Sequence, residues 1–214
     1  MSQTVETVVF TPFIDKKVRI WYKMNDVKKM GRMGRDDYNE MAEQFKRQLD
    51  LPEEKAKEIR HWLLNGWNIL TEEGLALKMA SQPGGLCAET TPALLEVNKK
   101  MNDGGKVSED EYLLAYKQLI EVNKSLFQKT FEKMVGSFFD AFDVDADGYV
   151  DANDLIKGWK CFGIDFPDAV RMIFKEMDTN QKGKIDKTIY VAHWVEFMLG
   201  NDQNAPISKF LCKV

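Results

Sequence analysis

The sequence predicts an all-α protein of four helix–loop–helix units in two packed pairs. Three observations carry this: apolar residues recur at helical spacing, β-branched alternation is nearly absent, and an acidic loop at 143–154 recurs in faded form at three other places. The 214 residues, 44% of them apolar, can build a sizeable core without disulfides. With 30 Lys and Arg against 34 Asp and Glu, the net charge of −4 offers no electrostatic footprint for nucleic acid. No apolar run is long enough for a membrane span, and the opening residues, with an acid at Glu6, lack a basic secretory start. Three cysteines, Cys87, Cys161 and Cys212, lie far apart. That predicts buried free thiols in a reducing, cytoplasmic setting.

The elements follow in order. Ile14, Val18 and Trp21 share one helical face, as do Tyr38, Met41 and Phe45. Pro52 with Glu53 and Glu54 marks a helix start, and Ile59, Leu63, Trp67 and Leu70 continue it. Residues 81–92 combine Pro, a Gly pair and a Thr pair, so a loop or hinge is expected there. Further helices carry Phe131, Val135, Phe138 and Phe142, then Leu155 and Trp159, then Ile173 and Met177, then Tyr190, Trp194 and Phe197.

Residues 143–154 read DVDADGYVDAND, the calcium-loop signature of an EF-hand. Asp143, Asp145 and Asp147 fill loop positions 1, 3 and 5 and would repel one another without a cation. Gly148 permits the sharp turn at position 6. Tyr149 offers its carbonyl, Val150 points to the core and pairs with a neighbouring loop, Asp151 binds directly or through water, and Asp154 closes the shell. Asp at position 12 is a methylene shorter than the usual Glu, which predicts weakened Ca²⁺ binding with Mg²⁺ competing.

Three other loops keep the plan and lose ligands. In DTNQKGKIDKTI, 178–189, the remaining candidates are Asp178, Asn180, the Lys184 carbonyl and Asp186, while Lys182 and Ile189 stand at positions 5 and 12. In KMNDGGKVSEDE, 100–111, Gly105, Val107 and Glu111 fit, but Lys100 stands at position 1. In DVKKMGRMGRDD, 26–37, Asp26, Gly31, Met33 and Asp37 fit, with Lys28 and Met30 in place of ligands. Glycine and an apolar eighth residue persist where ligands are lost, as expected if loop pairing is needed for folding and metal is not.

The number of hands, the long helices and the tail, Trp194-Val195-Glu196-Phe197, Asn201-Asp202, Asn204-Ala205 and Lys213-Val214, resemble the sarcoplasmic calcium-binding protein and calexcitin-like EF-hand family. The resemblance implies a globule with both hand pairs packed together, acting as a Ca²⁺/Mg²⁺ buffer or signalling protein. The segments Gly34–Tyr38 and 51–60 are also similar to coelenterazine-binding proteins, relatives of the photoproteins. That second resemblance implies a small apolar ligand in a dry cavity, with His193-Trp194 and His61-Trp62 as candidate lining; aromatic core packing is the simpler expectation for the same residues. Eleven Met leave room for a target protein, although Met41, Met134 and Met177 lie on apolar helical faces. No nucleotide, zinc-protease or hydrolase motif occurs, so the expectation is a monomeric non-enzyme. Two units are expected: 1–125, with loops 26–37 and 100–111 and an insertion at 71–99 serving as surface excursion or lid, and 126–214, with loops 143–154 and 178–189.

Overall fold

A computed structural model describes residues 10–213; Glu6 and Val214 lie outside the described residues. Helix α1 (Pro12–Asn25) starts where the Thr11 hydroxyl accepts from the Ile14 amide, and it buries Ile14, Val18, Trp21 and Tyr22. Strand β1 (Arg32–Met33) and helix α2 (Arg35–Leu49) complete the first hand, and Tyr38, Met41 and Phe45 face inward as their spacing predicts. Helix α3 (Glu53–Met79) follows Pro52 and spans 27 residues, burying Ile59, Leu63, Trp67 and Leu70.

The segment 71–99 is divided among three elements. Its first part continues α3. Its middle, 80–91, folds back on α3, with Leu86 fully buried and its amide donating to the Gly74 carbonyl at 2.9 Å. Gly74 is required here: a Cβ would stand 2.1 Å from Leu86 Cγ. Its last part opens α4 (Pro92–Asn102), the helix that enters loop 100–111.

Strand β2 (Val107–Ser108) leads into α5 (Glu109–Phe142), which Ser108 and Glu111 start with a reciprocal capping box. Within α5, Asn123 leaves helical geometry at φ −151° and ψ 77°. Its Oδ1 accepts from the Leu126 amide and its Nδ2 donates to the Gly84 carbonyl. Asn123 thus restarts the helix and pins the 80–91 turn. The stretch α5 is therefore two helical segments broken at Asn123, the first leaving loop 100–111 and the second entering loop 143–154. The chain continues through β3 (Tyr149–Val150), α6 (Ala152–Lys160), α7 (Pro167–Met177), β4 (Ile185–Asp186), α8 (Lys187–Leu199) and α9 (Pro206–Leu211).

The strands are two residues each and pair antiparallel, β1 with β2 and β3 with β4. The register sets Met33 opposite Val107 and Val150 opposite Ile185. All four side chains are buried, so the eighth loop position serves core and pairing at once. The fold is all-α with short strand pairings, as the sequence predicts.

A shared aromatic core joins the two pairs. Phe45 of α2 lies 5.4 Å from Phe138 and 6.0 Å from Phe142 of α5, and Trp21 of α1 lies 5.6 Å from Trp194 of α8. Lys17 is buried at the end of α8, where its ammonium donates to the Gly200 carbonyl, and burial pulls its pKa down to about 8. Among the described residues, no helix is long and apolar enough to cross a membrane. All three cysteines are free; Cys161 is buried as expected, whereas Cys87 and Cys212 are only half-buried.

Candidate metal centre

The loop 143–154 is shaped by its own backbone amides. Asp143 caps the end of α5 and its carboxylate accepts from the Asp147 amide at 3.1 Å and the Gly148 amide at 3.0 Å. Asp145 Oδ1 accepts from the Asp147 amide, and Asp147 Oδ1 from the Tyr149 amide. Gly148 adopts φ +84°, the left-handed turn that the sixth position needs. Outside the loop, Lys55 of α3 donates to the carbonyls of Asp140 and Asp143, fixing the helix end from which the loop departs.

These constraints converge three carboxylates. Asp143, Asp145 and Asp147 each offer an oxygen, and those atoms lie within 4.8 Å of one another. Asp143 is buried; the other two are exposed. Tyr149, Asp151 and Asp154 line one depression with Asp145 and Asp147, and the Asp151 and Asp154 carboxylates stand outside the tight group. Asp151 caps α6, and Asp154 Oδ2 accepts from the Asp151 amide at 3.0 Å. One Asp154 oxygen is therefore engaged in the cap. Burial raises the pKa of this carboxyl. Hard oxygen donors in this pattern suit Ca²⁺ or Mg²⁺ and not a soft transition metal.

The faded loops use the same scaffold differently. Asp26 accepts from the amides of Met30 and Gly31, and Asp178 from those of Lys182 and Gly183. The first aspartate is thus a clamp on loop shape in three loops. In loop 178–189, Asp186 caps α8 through the Ile189 amide, and Asn180 is exposed. Among the described residues, Asp143, Asp145 and Asp147 are the one group of three His, Cys, Asp or Glu side chains whose ligating atoms converge; loop 178–189 offers only two carboxylates, Asp178 and Asp186, both engaged with backbone amides.

Loop 100–111 departs from expectation. The left-handed turn falls at Gly104, φ +76°, and not at Gly105. Lys100 has no carboxylate to receive the loop amides, so α4 runs on to Asn102 and the Lys100 carbonyl accepts from Gly105 N at 2.8 Å. The Lys100 ammonium bonds Glu111 instead, uniting positions 1 and 12 as an internal ion pair.

Two lysine ammoniums have roles that the sequence alone does not show. Lys106, half-buried, donates to Asp37 Oδ2 at 3.1 Å and also bonds Asp36. Lys184, expected only as a carbonyl donor, sends its ammonium across the strand pair to Asp147 Oδ2 at 3.2 Å and over the Tyr149 ring at 3.8 Å. The signal for both is their common seventh loop position, which acquires meaning only once the strand register is known.

A second feature is an aromatic cavity of about 50 Å³ lined by Trp21, Tyr38, Trp62, Trp67, Tyr112 and Tyr116 with further apolar residues. Trp67 Nε1 donates to the Tyr38 hydroxyl, and the Tyr112 hydroxyl bonds Tyr116. The Thr130 hydroxyl on its wall is buried with no hydrogen-bond partner among the described residues. Burial pushes the Tyr116 phenol up to about 12. Trp62 and Trp67 line it, but the candidate histidines do not: His61 is exposed beside Trp62, and His193 is half-buried on α8 with Trp194 in the core instead. No residue of 80–91 lines the cavity, so that turn is a brace for α3 and α5 and not its lid.

Residues 131–188 match the family model of the EF-hand domain pair, which spans the end of α5 to the start of α8. By sequence, no curated protein matches the chain. Solved structures share its fold over most of their length. The calcium-loaded apo form of the coelenterazine-binding protein of Renilla muelleri is 19% identical, with a TM-score of 0.60 over 94% of this chain and 98% of that one. Calcium-loaded apo-aequorin of Aequorea victoria is 17% identical, with a TM-score of 0.61 over 90% and 93%. A calcium-binding protein of Streptomyces coelicolor is 16% identical, with a TM-score of 0.62 over 88% and 99%.

Proposed function

We propose that this chain is a calcium-binding EF-hand protein with one competent site, at loop 143–154, working as a monomeric cytoplasmic Ca²⁺/Mg²⁺ buffer or signalling protein. The observation that carries this is the convergence of Asp143, Asp145 and Asp147 within 4.8 Å. Asp143, Asp145, Asp147 and Asp154 supply side-chain oxygens, Tyr149 its carbonyl, and Asp151 a direct or water-mediated ligand. Binding relieves the mutual repulsion of these acids and orders the helices on either side, from about 129 to 162. The unit 126–214 carries the cation response and 1–125 is its scaffold.

Calorimetric titration of Ca²⁺ into the wild type and Asp145→Ala tests this. The Asp145 side chain bears less of the loop's shape than Asp143, which clamps two amides, so the variant isolates ligation from folding. One equivalent should bind the wild type and none the variant. A repeat in millimolar Mg²⁺ should weaken apparent Ca²⁺ affinity, and an unchanged value would remove the competition from the account. Binding of an apolar dye with and without Ca²⁺ separates buffer from sensor, since a sensor exposes apolar surface.

A second reading is supported by the aromatic cavity with its unpartnered Thr130 hydroxyl: a carrier of a small apolar ligand such as coelenterazine, in keeping with the Renilla neighbour. At about 50 Å³ the cavity falls short of the roughly 300 Å³ that a drug-sized ligand needs, so side chains on its wall have to swing aside. An absorption shift of coelenterazine on mixing supports this reading; an unshifted spectrum removes it.

A further inference from the structure

In both hand pairs the second loop carries a lysine at its seventh position, Lys106 and Lys184. The residue that follows each one pairs with the first loop, Val107 with Met33 and Ile185 with Val150. The lysine side chain is thereby delivered to the first loop's acids. In the N-terminal pair, Lys106 holds Asp37, a fully buried carboxylate at position 12, and Asp36 beside it. Gly34 at position 9 leaves room for this: a Cβ there would stand 3.0 Å from Lys106 Cδ. In the C-terminal pair position 9 is Asp151, and Lys184 takes another course, across the Tyr149 ring to Asp147.

Asp147 is also one of the three converging carboxylates. We infer that Lys184 is a tethered competitor for the cation site of loop 143–154, holding Asp147 until a divalent cation displaces it and so setting the site's affinity. The inference rests on the reading of that loop as a cation site. An ammonium and a divalent ion sharing one carboxylate repel each other, so one has to yield. The pair is exposed, 42% at Lys184 and 44% at Asp147, so its worth is that of a surface ion pair. Its loss should tighten divalent binding about two- to five-fold. The effect should fade with salt, because exposed charges are screened. The N-terminal pair carries the same device where positions 3 and 5 of the first loop hold Lys28 and Met30: there the ammonium has no metal to compete with and serves as the permanent cation.

Ca²⁺ calorimetry on the wild type, Lys184→Gln, Lys184→Arg and Lys182→Gln, in low and in about 0.5 M salt, tests the inference. Lys182→Gln removes a charge from the same loop, and among the described residues its ammonium makes no ion pair with Asp147. The expected result is tighter binding by Lys184→Gln, wild-type-like binding by Lys184→Arg, a smaller gain in Lys182→Gln, and convergence in high salt. Binding by Lys184→Gln that equals or falls below wild type overturns the inference and leaves the cation-site reading standing. A gain as large in Lys182→Gln, or one that persists in high salt, also overturns it. Absence of Ca²⁺ binding in all four proteins overturns the cation-site reading, and the inference with it.

Discussion

In the C-terminal hand pair three aspartates converge on one point, and the lysine that reaches them touches a single exposed carboxylate. In the N-terminal pair the corresponding loops hold their acids with ammonium groups: Lys28 on Asp36, Lys106 on Asp36 and Asp37, Lys100 on Glu111. The strand register and the buried eighth residues are the same in both. The difference lies in what balances the negative charge. One pair converges three acids with a single lysine contact, and the other holds its acids with covalently attached cations. Loops 26–37 and 100–111 thus keep the EF-hand plan with lysines on their acids and an apolar eighth residue at the strand contact.

The largest test asks whether the two pairs are energetically separate at all. Phe45 is fully buried and joins α2 to Phe138 and Phe142, so Phe45→Ala should cost about 3–5 kcal/mol and lower both halves in one thermal transition. Two resolved transitions would show the pairs to be independent. Next comes Asp145→Ala, which should weaken Ca²⁺ binding by about 100-fold or more, ~2.7 kcal/mol, while leaving thermal stability without Ca²⁺ near wild type.

The two seventh-position lysines sharpen the comparison directly. Lys106→Met strands the buried Asp37 carboxylate and should cost about 2 kcal/mol by denaturant unfolding, with partial rescue by Asp37→Asn. Lys184→Met breaks only an exposed pair and should change stability by less than about 1 kcal/mol. Equal costs would erase the distinction between permanent and displaceable cation.

The smallest effect is on acid stability. The Lys100 ammonium, with the Ser108 amide, holds Glu111 down at about 2, below its ordinary 4.5. A folded-state pKa below the unfolded one means that the stabilisation is complete above about pH 4.5 and is lost as pH falls toward 2. Wild type should therefore lose more stability across that window than Glu111→Gln, by a modest margin because the pair is partly exposed. Parallel pH profiles would show that this ion pair contributes nothing.

Much of this was legible in the sequence. Helical spacing placed Val18, Tyr38, Phe45, Leu63 and Phe142 on buried faces, and the eighth loop residues announced both strand pairings. The loop signature at 143–154 fixed which acids to examine. The turn in loop 100–111 was misplaced because two adjacent glycines, Gly104 and Gly105, offer the same freedom and the choice depends on Lys100 lacking a carboxylate. The cross-loop pairs of the Lys106 and Lys184 ammoniums are not legible, because each depends on a partner loop distant in sequence. The aromatic cavity is half legible: of the expected pairs His61-Trp62 and His193-Trp194, only Trp62 lines it, and a one-residue offset on a helix, a rotation of about 100°, carries its neighbour His61 elsewhere.

The central claim is that one pair of hands binds a cation and the other carries its own. A count of Ca²⁺ equivalents by calorimetry on the wild type and Asp145→Ala tests it most directly. One equivalent in the wild type and none in the variant is the predicted result. Two equivalents, none, or one retained by Asp145→Ala would contradict it.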